Sequence, residues 1–329
     1  MSFENRENIR YLGEDDFRPF METAGKEWLK TSVVSGNIET ANGTKLNYYK
    51  AVPQDPRGAV VIIHGFCEFW GKYHEMAYYL WQAGYAVYFC EHRGHGYSGG
   101  KLPEPDADIV YIDDYQTYVR DLKCFLDNVV VPETDQLRKT FLAHSMGGAV
   151  AALFLENYAG YADAVIFSSP MFMFNTGKFP AWLASAYGGV MKLIGKGRSL
   201  APGEKRFSPE PVFERSSTLS KARYHYQFDQ RLRDRHYQTY GASCAWVAAS
   251  LKADSRLLSH ADRIQIPAAI LTAGQDRLVK REGFERFMQK APQTKEYAFA
   301  DSRHEIFNAG DETRKAFFDL IFRILDEGI

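Results

Sequence analysis

The sequence predicts an α/β protein: a mostly parallel central sheet flanked by helices, interrupted by a mainly helical cap insertion. Three observations carry this. Short continuous apolar runs alternate with amphipathic stretches; such runs suit strands buried on both faces, which need helices on either side of the sheet. The alternation breaks once, between about Met171 and Ile264, where the chain is rich in aromatics, glycine and basic residues and has no clear buried strand. At 329 residues the chain is also long enough for one large core plus an insertion.

Taken in order, residues 32–53 read as an antiparallel hairpin with Asn42-Gly43 at its turn. Ala59-Val60-Val61-Ile62-Ile63 is the first buried strand, ending at His64-Gly65. Similar runs follow at Ala86 to Cys90, Thr140 to Ala143, Ala164 to Phe167 and Ala268 to Ala273, with a weaker one at Tyr297-Ala298-Phe299. Between strands, Ile112, Tyr115, Tyr118, Val119, Leu122, Phe125, Leu126 and Val129 form one apolar stripe at helical spacing. Phe317, Phe318, Ile321, Phe322 and Leu325 repeat the pattern behind Asp311, expected as the helix cap. The organisation is therefore a first core part over 1–170 with an N-terminal extension, a cap over 171–264, and a second core part over 265–329.

Bulk properties narrow the function. Hydrophobic residues make up 45% and charged residues 25%, as in globular proteins generally. The net charge of −1 gives no reason to expect a nucleic-acid partner. That near-neutrality hides an asymmetry: residues 171–260 hold 14 Lys+Arg against 6 Asp+Glu, a net of +8, and the remainder carries −9. Cys67, Cys90, Cys124 and Cys244 form no C-x-x-C pair and no zinc spacing, which fits a reducing compartment and no metal. The charged N-terminal stretch MSFENRENIRYLGEDDF reads as neither signal peptide nor membrane anchor, and no later run reaches ~18 uninterrupted apolar residues. The expected location is the cytoplasm, with association to a membrane surface left open.

The chemistry starts at Ala143-His144-Ser145-Met146-Gly147-Gly148, which follows an apolar strand and opens a run of helix formers. That is the setting of a sharp strand–turn–helix elbow presenting a nucleophilic serine. So tight a turn demands small residues two positions before and after the serine, here Ala143 and Gly147. Ala143 departs mildly from the usual glycine. A structural alternative is that Ser145 merely caps a helix.

A serine hydroxyl needs a base to take its proton, and on such a sheet the order along the chain is serine, acid, histidine. Of nine histidines, His304 alone follows both Ser145 and a strand-end acid. Asp276, after the Ala268–Ala273 strand and a Gly274 turn, is the candidate acid. Asp301 and Glu305 compete for that role but also read as surface charges. His144 is expected to point away from the serine, because neighbouring side chains leave a strand in opposite directions. His74, His225, His236 and His260 read as surface or cap residues. His92 and His95 sit in Glu91–Ser98, a glycine-bearing loop read as scaffolding. An oxyanion needs main-chain donors, and the amides of Met146 and Phe66 are the candidates.

Together, His64-Gly65-Phe66, Arg93-Gly94-His95-Gly96-Tyr97-Ser98, His144-Ser145-Met146-Gly147-Gly148, Gln275-Asp276-Arg277-Leu278-Val279 and His304-Glu305-Ile306 resemble the monoacylglycerol lipase and bacterial lysophospholipase L2 group of α/β-hydrolases. Phe174-Asn175-Thr176-Gly177, Leu200-Ala201-Pro202-Gly203 and Thr239-Tyr240-Gly241 extend the likeness into the insertion, so that it spans roughly residues 30–329. The resemblance implies an α/β-hydrolase fold and hydrolysis of one fatty-acyl ester from a monoacyl lipid through an acyl-enzyme, with no metal or organic cofactor. On this reading the insertion is a lid. Phe172, Phe174, Phe179, Trp182, Tyr187 and Met191 would line an acyl pocket or dip into a bilayer, and its positive charge would favour anionic headgroups. The alternative is an ordinary helical cap whose aromatics form its own core. Short-chain carboxylesterase, serine aminopeptidase, C–C bond hydrolase, cofactor-free perhydrolase and a non-catalytic ligand-binding member are the other functional readings. Dehalogenase and epoxide hydrolase chemistry needs a carboxylate where Ser145 stands.

Overall fold

The apolar runs form the strands of one large sheet in the computed structural model, which describes residues 9–177 and 179–329. In chain order the strands are β1 (Val34–Glu39), β2 (Lys45–Ala51), β3 (Gly58–Ile63), β4 (Tyr85–Cys90), β5 (Ile109–Val110), β6 (Lys139–His144), β7 (Ala164–Ser168), β8 (Gly241–Ala242), β9 (Ala268–Ala273) and β10 (Lys295–Phe299). Eight of them form a sheet of order β1-β2-β4-β3-β6-β7-β9-β10, while β5 and β8 make a separate short pair. From β4 to β10 every neighbour is parallel; β2 runs antiparallel to both β1 and β4. The predicted hairpin is thus an edge ribbon, with Gly43 at φ +76° in its turn. The parallel arrangement puts the C-terminal ends of β3, β6, β9 and β10 along one sheet edge, where open α/β sheets build their sites.

The helices are α1 (Glu14–Glu22), α2 (Ala24–Ser32), α3 (His74–Gln82), α4 (Gln116–Phe125), α5 (Val131–Glu133), α6 (Met146–Leu155), α7 (Ala181–Leu193), α8 (Lys221–Arg233), α9 (Cys244–His260), α10 (Arg281–Lys290) and α11 (Asp311–Glu327). Alternation along β3 feeds both faces of the sheet. Val61 and Ile63 pack with α4, α6, α9 and α10, whereas Val60 and Ile62 pack with α3 and α11. Every residue of α6 is buried, as expected of a helix that is apolar all round.

Local departures have local causes. The stripe beginning at Ile112 is helical only from Gln116, and after Phe125 it widens into a π-turn over Leu126–Val130. Pro132, just beyond, would clash with the carbonyl four residues earlier in a regular helix, and a wider turn relieves that. Asp311 is the first residue of α11, not its cap, which is Gly310; its Oδ2 accepts the amide of Glu14 at 3.0 Å. His74 is not a surface residue. It is buried at the start of α3, with Nδ1 2.8 Å from the Tyr226 hydroxyl.

Residues 171–264 contain α7, α8 and α9, but α9 differs from the other two. Trp246, Ala249, Ala253 and Leu257 on its inner face belong to the main core. Part of the positive charge of residues 171–264 is paired with acids of the first core part. Lys192 pairs with Asp113 at 3.1 Å, Arg206 with Asp108 at 2.9 Å, Lys252 with Asp114 at 3.4 Å and Arg223 with Glu75 at 2.7 Å, and Arg235 pairs with Glu104. These five pairs join basic residues of 171–264 to acids of the first core part. No helix among the described residues is long and apolar enough to cross a membrane. The reading of the N-terminal stretch falls partly on residues 1–8, outside the described residues.

Candidate active site

Ser145 sits between β6 and α6 with φ +52° and ψ −120°, a strained conformation for a non-glycine residue. Its surroundings impose that strain. The Ser145 amide donates to Ser168 O at 3.1 Å, and its carbonyl accepts the amides of Gly148 at 2.9 Å and Met171 at 2.8 Å. The demand for a small residue at position 147 is visible: a Cβ there would lie 2.1 Å from the Ile63 carbonyl oxygen. The loop after β3 comes equally close, since a Cβ on Gly65 would lie 3.0 Å from the Ser145 Cβ. Phe66 is therefore beside the serine. Met146 is the first residue of α6, and its amide has no intrahelical acceptor.

Asp276 and His304 come from the loops after β9 and β10. These loops are joined by Gly274 N donating to Phe299 O and Gln275 N to Ser302 O, each at 2.9 Å. His304 is 4% exposed, and its Nδ1 lies 2.7 Å from Asp276 Oδ2. Burial works against a charged Asp276, but the bond to His304 and the amides of Leu278 and Val279 outweigh it and hold the carboxyl below its ordinary pKa. His304 Nε2, the atom that would receive a serine proton, is buried and has no hydrogen-bond partner among the described residues. Catalytic hydrogen bonds are often loose before substrate binds.

His144, set aside in the sequence, is the neighbour of the candidate base, with ring centroids 4.9 Å apart. Its Nδ1 is 3.0 Å from Ser168 O, and burial lowers its pKa to about 4. On its other side lies Glu68, 3.5 Å from Nε2. Glu305 is no surface charge either. It is buried and joined to Lys72, which also binds Glu68. Sequence reasoning missed this set, although Glu68 and Lys72, four apart in the aromatic stretch Phe66–Tyr73, were a signal. His64, His92 and His95 form a buried cluster behind the loop, where burial holds His92 at about 4 and His95 at about 3, as neutral scaffolding.

A cavity of about 610 Å³ lies between α7, the loop at 201–204 and the start of α9, within the range of small-molecule sites. Phe174, Phe179, Leu183, Tyr187 and Val247 supply much of its apolar wall. Trp246, buried behind its wall, packs between Phe174 and Phe66, with ring centroids 5.9 Å and 4.3 Å away; Ser145 itself is not among the lining residues. Of the residues expected to line such a pocket, Phe174, Phe179 and Tyr187 do. Phe172 does not: it is fully buried and stacked on Phe287 at 4.3 Å, so it fills the core. Trp182 is 72% exposed on the outer side of α7. No group of three or more His, Cys, Asp or Glu among the described residues is arranged to hold a metal.

The serine aminopeptidase S33 family matches residues 54–311, with the elbow, the acid and the histidine all inside the match. The chain belongs to this family of α/β-hydrolases. Lysophospholipase L2 of Escherichia coli strain K12 is 31% identical over 231 residues, covering 70% of this chain and 67% of that protein. A monoacylglycerol lipase of Mycolicibacterium smegmatis is 35% identical over 162 residues, covering 49% of this chain and 52% of its own length. Among solved structures, a soluble variant of a Saccharomyces cerevisiae monoglyceride lipase superposes with a TM-score of 0.68 at 17% identity, over 91% of this chain and 96% of that one, which shows a shared fold. Together the relatives support an ester hydrolase on the α/β-hydrolase fold.

Proposed function

We propose that this family member is a serine hydrolase releasing the fatty acid from a monoacyl lipid, a monoacylglycerol or a lysophospholipid. The observation that carries the reading is the buried Asp276–His304 pair, at 2.7 Å, on the same sheet edge as the strained Ser145. His304 takes the Ser145 proton as the hydroxyl oxygen attacks the ester carbonyl, and the amides of Phe66 and Met146 hold the oxyanion. His304 then protonates the departing alcohol, leaving an acyl-Ser145 ester. Water, deprotonated by His304, attacks that ester and releases the fatty acid. Asp276 holds the imidazole orientation and favours its charged form throughout. No step calls for a cofactor.

The apolar cavity supports an acyl chain as the bound group, with Phe174 and Tyr187 as its contacts. A lipid surface is supported by α7 and its flanks, where Phe179, Trp182, Val190, Leu193 and Ile194 form an exposed apolar stripe. The exposed residues of this stripe are apolar, so the contact it would make is hydrophobic more than electrostatic.

Aminopeptidase activity has one observation in its favour, the carboxylate of Glu204 in the cavity wall, which could meet an amino terminus. Burial raises the Glu204 pKa, which weakens that role. Purified protein assayed on long-chain monoacylglycerol, lysophosphatidylcholine, lysophosphatidylethanolamine, short p-nitrophenyl esters and aminoacyl amides decides between them. The highest kcat/KM is expected on a long-chain monoacyl lipid. Activity confined to short esters or to amides would overturn the lipid reading.

A further inference from the structure

The Glu68–Lys72–Glu305 chain runs behind the candidate site, and the mechanism above does not use it. Glu68 follows the loop that carries the Phe66 amide. Its Oε2 accepts the Gly65 amide and the Tyr73 hydroxyl, each at 2.5 Å, and so fixes the residue immediately before Phe66. Its Oε1 accepts Lys72 Nζ at 2.7 Å. The same ammonium donates to Glu305 Oε1 at 2.7 Å. Glu305 is the residue after His304, and its other oxygen accepts Asn308 Nδ2 at 2.8 Å. The Lys72 side chain is 9% exposed. A buried ammonium held by one carboxylate four residues before it and another 233 residues after it is a structural tie. Leaving either partner uncompensated is costly, so the arrangement resists drift of one loop against the other.

We propose that Lys72 is a positioning residue that locks the oxyanion loop to the histidine loop and balances the charge behind the imidazole of His304. This rests on the reading of Ser145 and His304 as nucleophile and base. The charges facing His304 are few and can be named. Asp276 meets it from the β9 loop, and His144 meets it from β6. Glu68 stands behind His144, with Lys72 and Glu305 completing the row. Arg231 of α8, which lies over the Phe69 ring and donates to the Cys67 carbonyl, is the next cation and is influenced by Glu68 and Glu305. With Lys72 present, the three-membered row carries one net negative charge. Without it, two carboxylates face the histidine pair and favour protonated imidazole.

The test compares Lys72→Met, Lys72→Arg and the double variant Lys72→Met/Glu305→Gln with the unaltered protein. It measures kcat/KM for a p-nitrophenyl ester from pH 5 to 9, labelling by a fluorophosphonate, and thermal midpoints. Lys72→Met is expected to lose roughly 10²-fold in kcat/KM at pH 7 through misplacement of the oxyanion donor. Its acid limb is expected to move up by about one pH unit, because the base is harder to deprotonate. The double variant should return the acid limb toward its original position without restoring the rate, and Lys72→Arg should keep most of both. If Lys72→Met does not fold, Lys72→Gln makes the same comparison. A lowered thermal midpoint with an unmoved pH profile, or an unchanged rate, would overturn the proposal while leaving the hydrolase reading intact. A wild-type protein that neither cleaves esters nor reacts with the phosphonate would overturn both.

Discussion

Asp276 Oδ2 and His304 Nδ1 lie 2.7 Å apart, buried between two loops 28 residues apart in the chain. Asp276→Asn keeps an oxygen for the amides of Leu278 and Val279 but presents no carboxylate to the imidazole. The ring loses its orienting partner and its favoured tautomer. A fall in kcat of about 10⁴-fold is expected, with little change in thermal midpoint. Steady-state kinetics beside a melting curve checks it.

Gly147 allows no side chain, because a Cβ would meet Ile63 O at 2.1 Å and His64 O at 2.6 Å, both backbone atoms at the end of a central strand. Gly147→Ala must push the elbow away from the oxyanion loop. Ester hydrolysis is expected to fall at least ~10²-fold, since misplacement by about 1 Å costs that much. The same substitution at Gly160, where no atom lies within 4 Å, should leave the rate unchanged even though its φ of +82° lowers stability slightly.

Asp254 makes stability depend on pH. Its Oδ2 accepts the Phe174 amide at 2.7 Å, its Oδ1 is buried with no hydrogen-bond partner among the described residues, and burial raises its pKa to about 8. A carboxyl whose folded pKa is raised contributes stability that is full below its unfolded value and is lost as pH rises through about 8. Asp254→Asn retains the acceptor and cannot ionise. Its thermal midpoint should match the wild type near pH 4 and exceed it by roughly 3–8 °C at pH 9. Glu91 at about 7 and Glu156 at about 8 act with the same sign, so some loss of stability with pH remains in the variant.

The stripe on α7 predicts hydrophobic attachment to lipid. Leu193 is 88% exposed, so Leu193→Ser costs the fold little. Together with Trp182→Ser it should weaken partitioning into neutral vesicles about 10-fold or more. Flotation or tryptophan quenching should show binding nearly unchanged between low and high salt. A steep salt dependence would return the weight to the cap's positive charge.

The eight strands of the large sheet and the three candidate catalytic residues could be picked out in the sequence because each is a local pattern, whereas the two-residue strands β5 and β8 could not. Five-residue apolar runs mark buried strands, small residues flank Ser145, and chain order picks His304 from nine histidines. What escaped depends on contacts between segments distant in sequence. Nothing near Glu305 announces Lys72, and nothing in the cap announces that Arg206, Arg223 and Arg235 meet acids of the core. Phe172 and Trp182 belong to the same aromatic-rich stretch, yet one fills the core and the other faces outward. Periodicity cannot separate them where helices pack on two sides.

The most direct measurement is the site and stoichiometry of covalent labelling. Intact mass and peptide mapping after reaction with a fluorophosphonate at pH 7.5 should show one adduct per chain, on Ser145. The adduct should be absent from Ser145→Ala and form far more slowly on His304→Ala. An adduct elsewhere, or full ester hydrolysis by Ser145→Ala, would contradict the account.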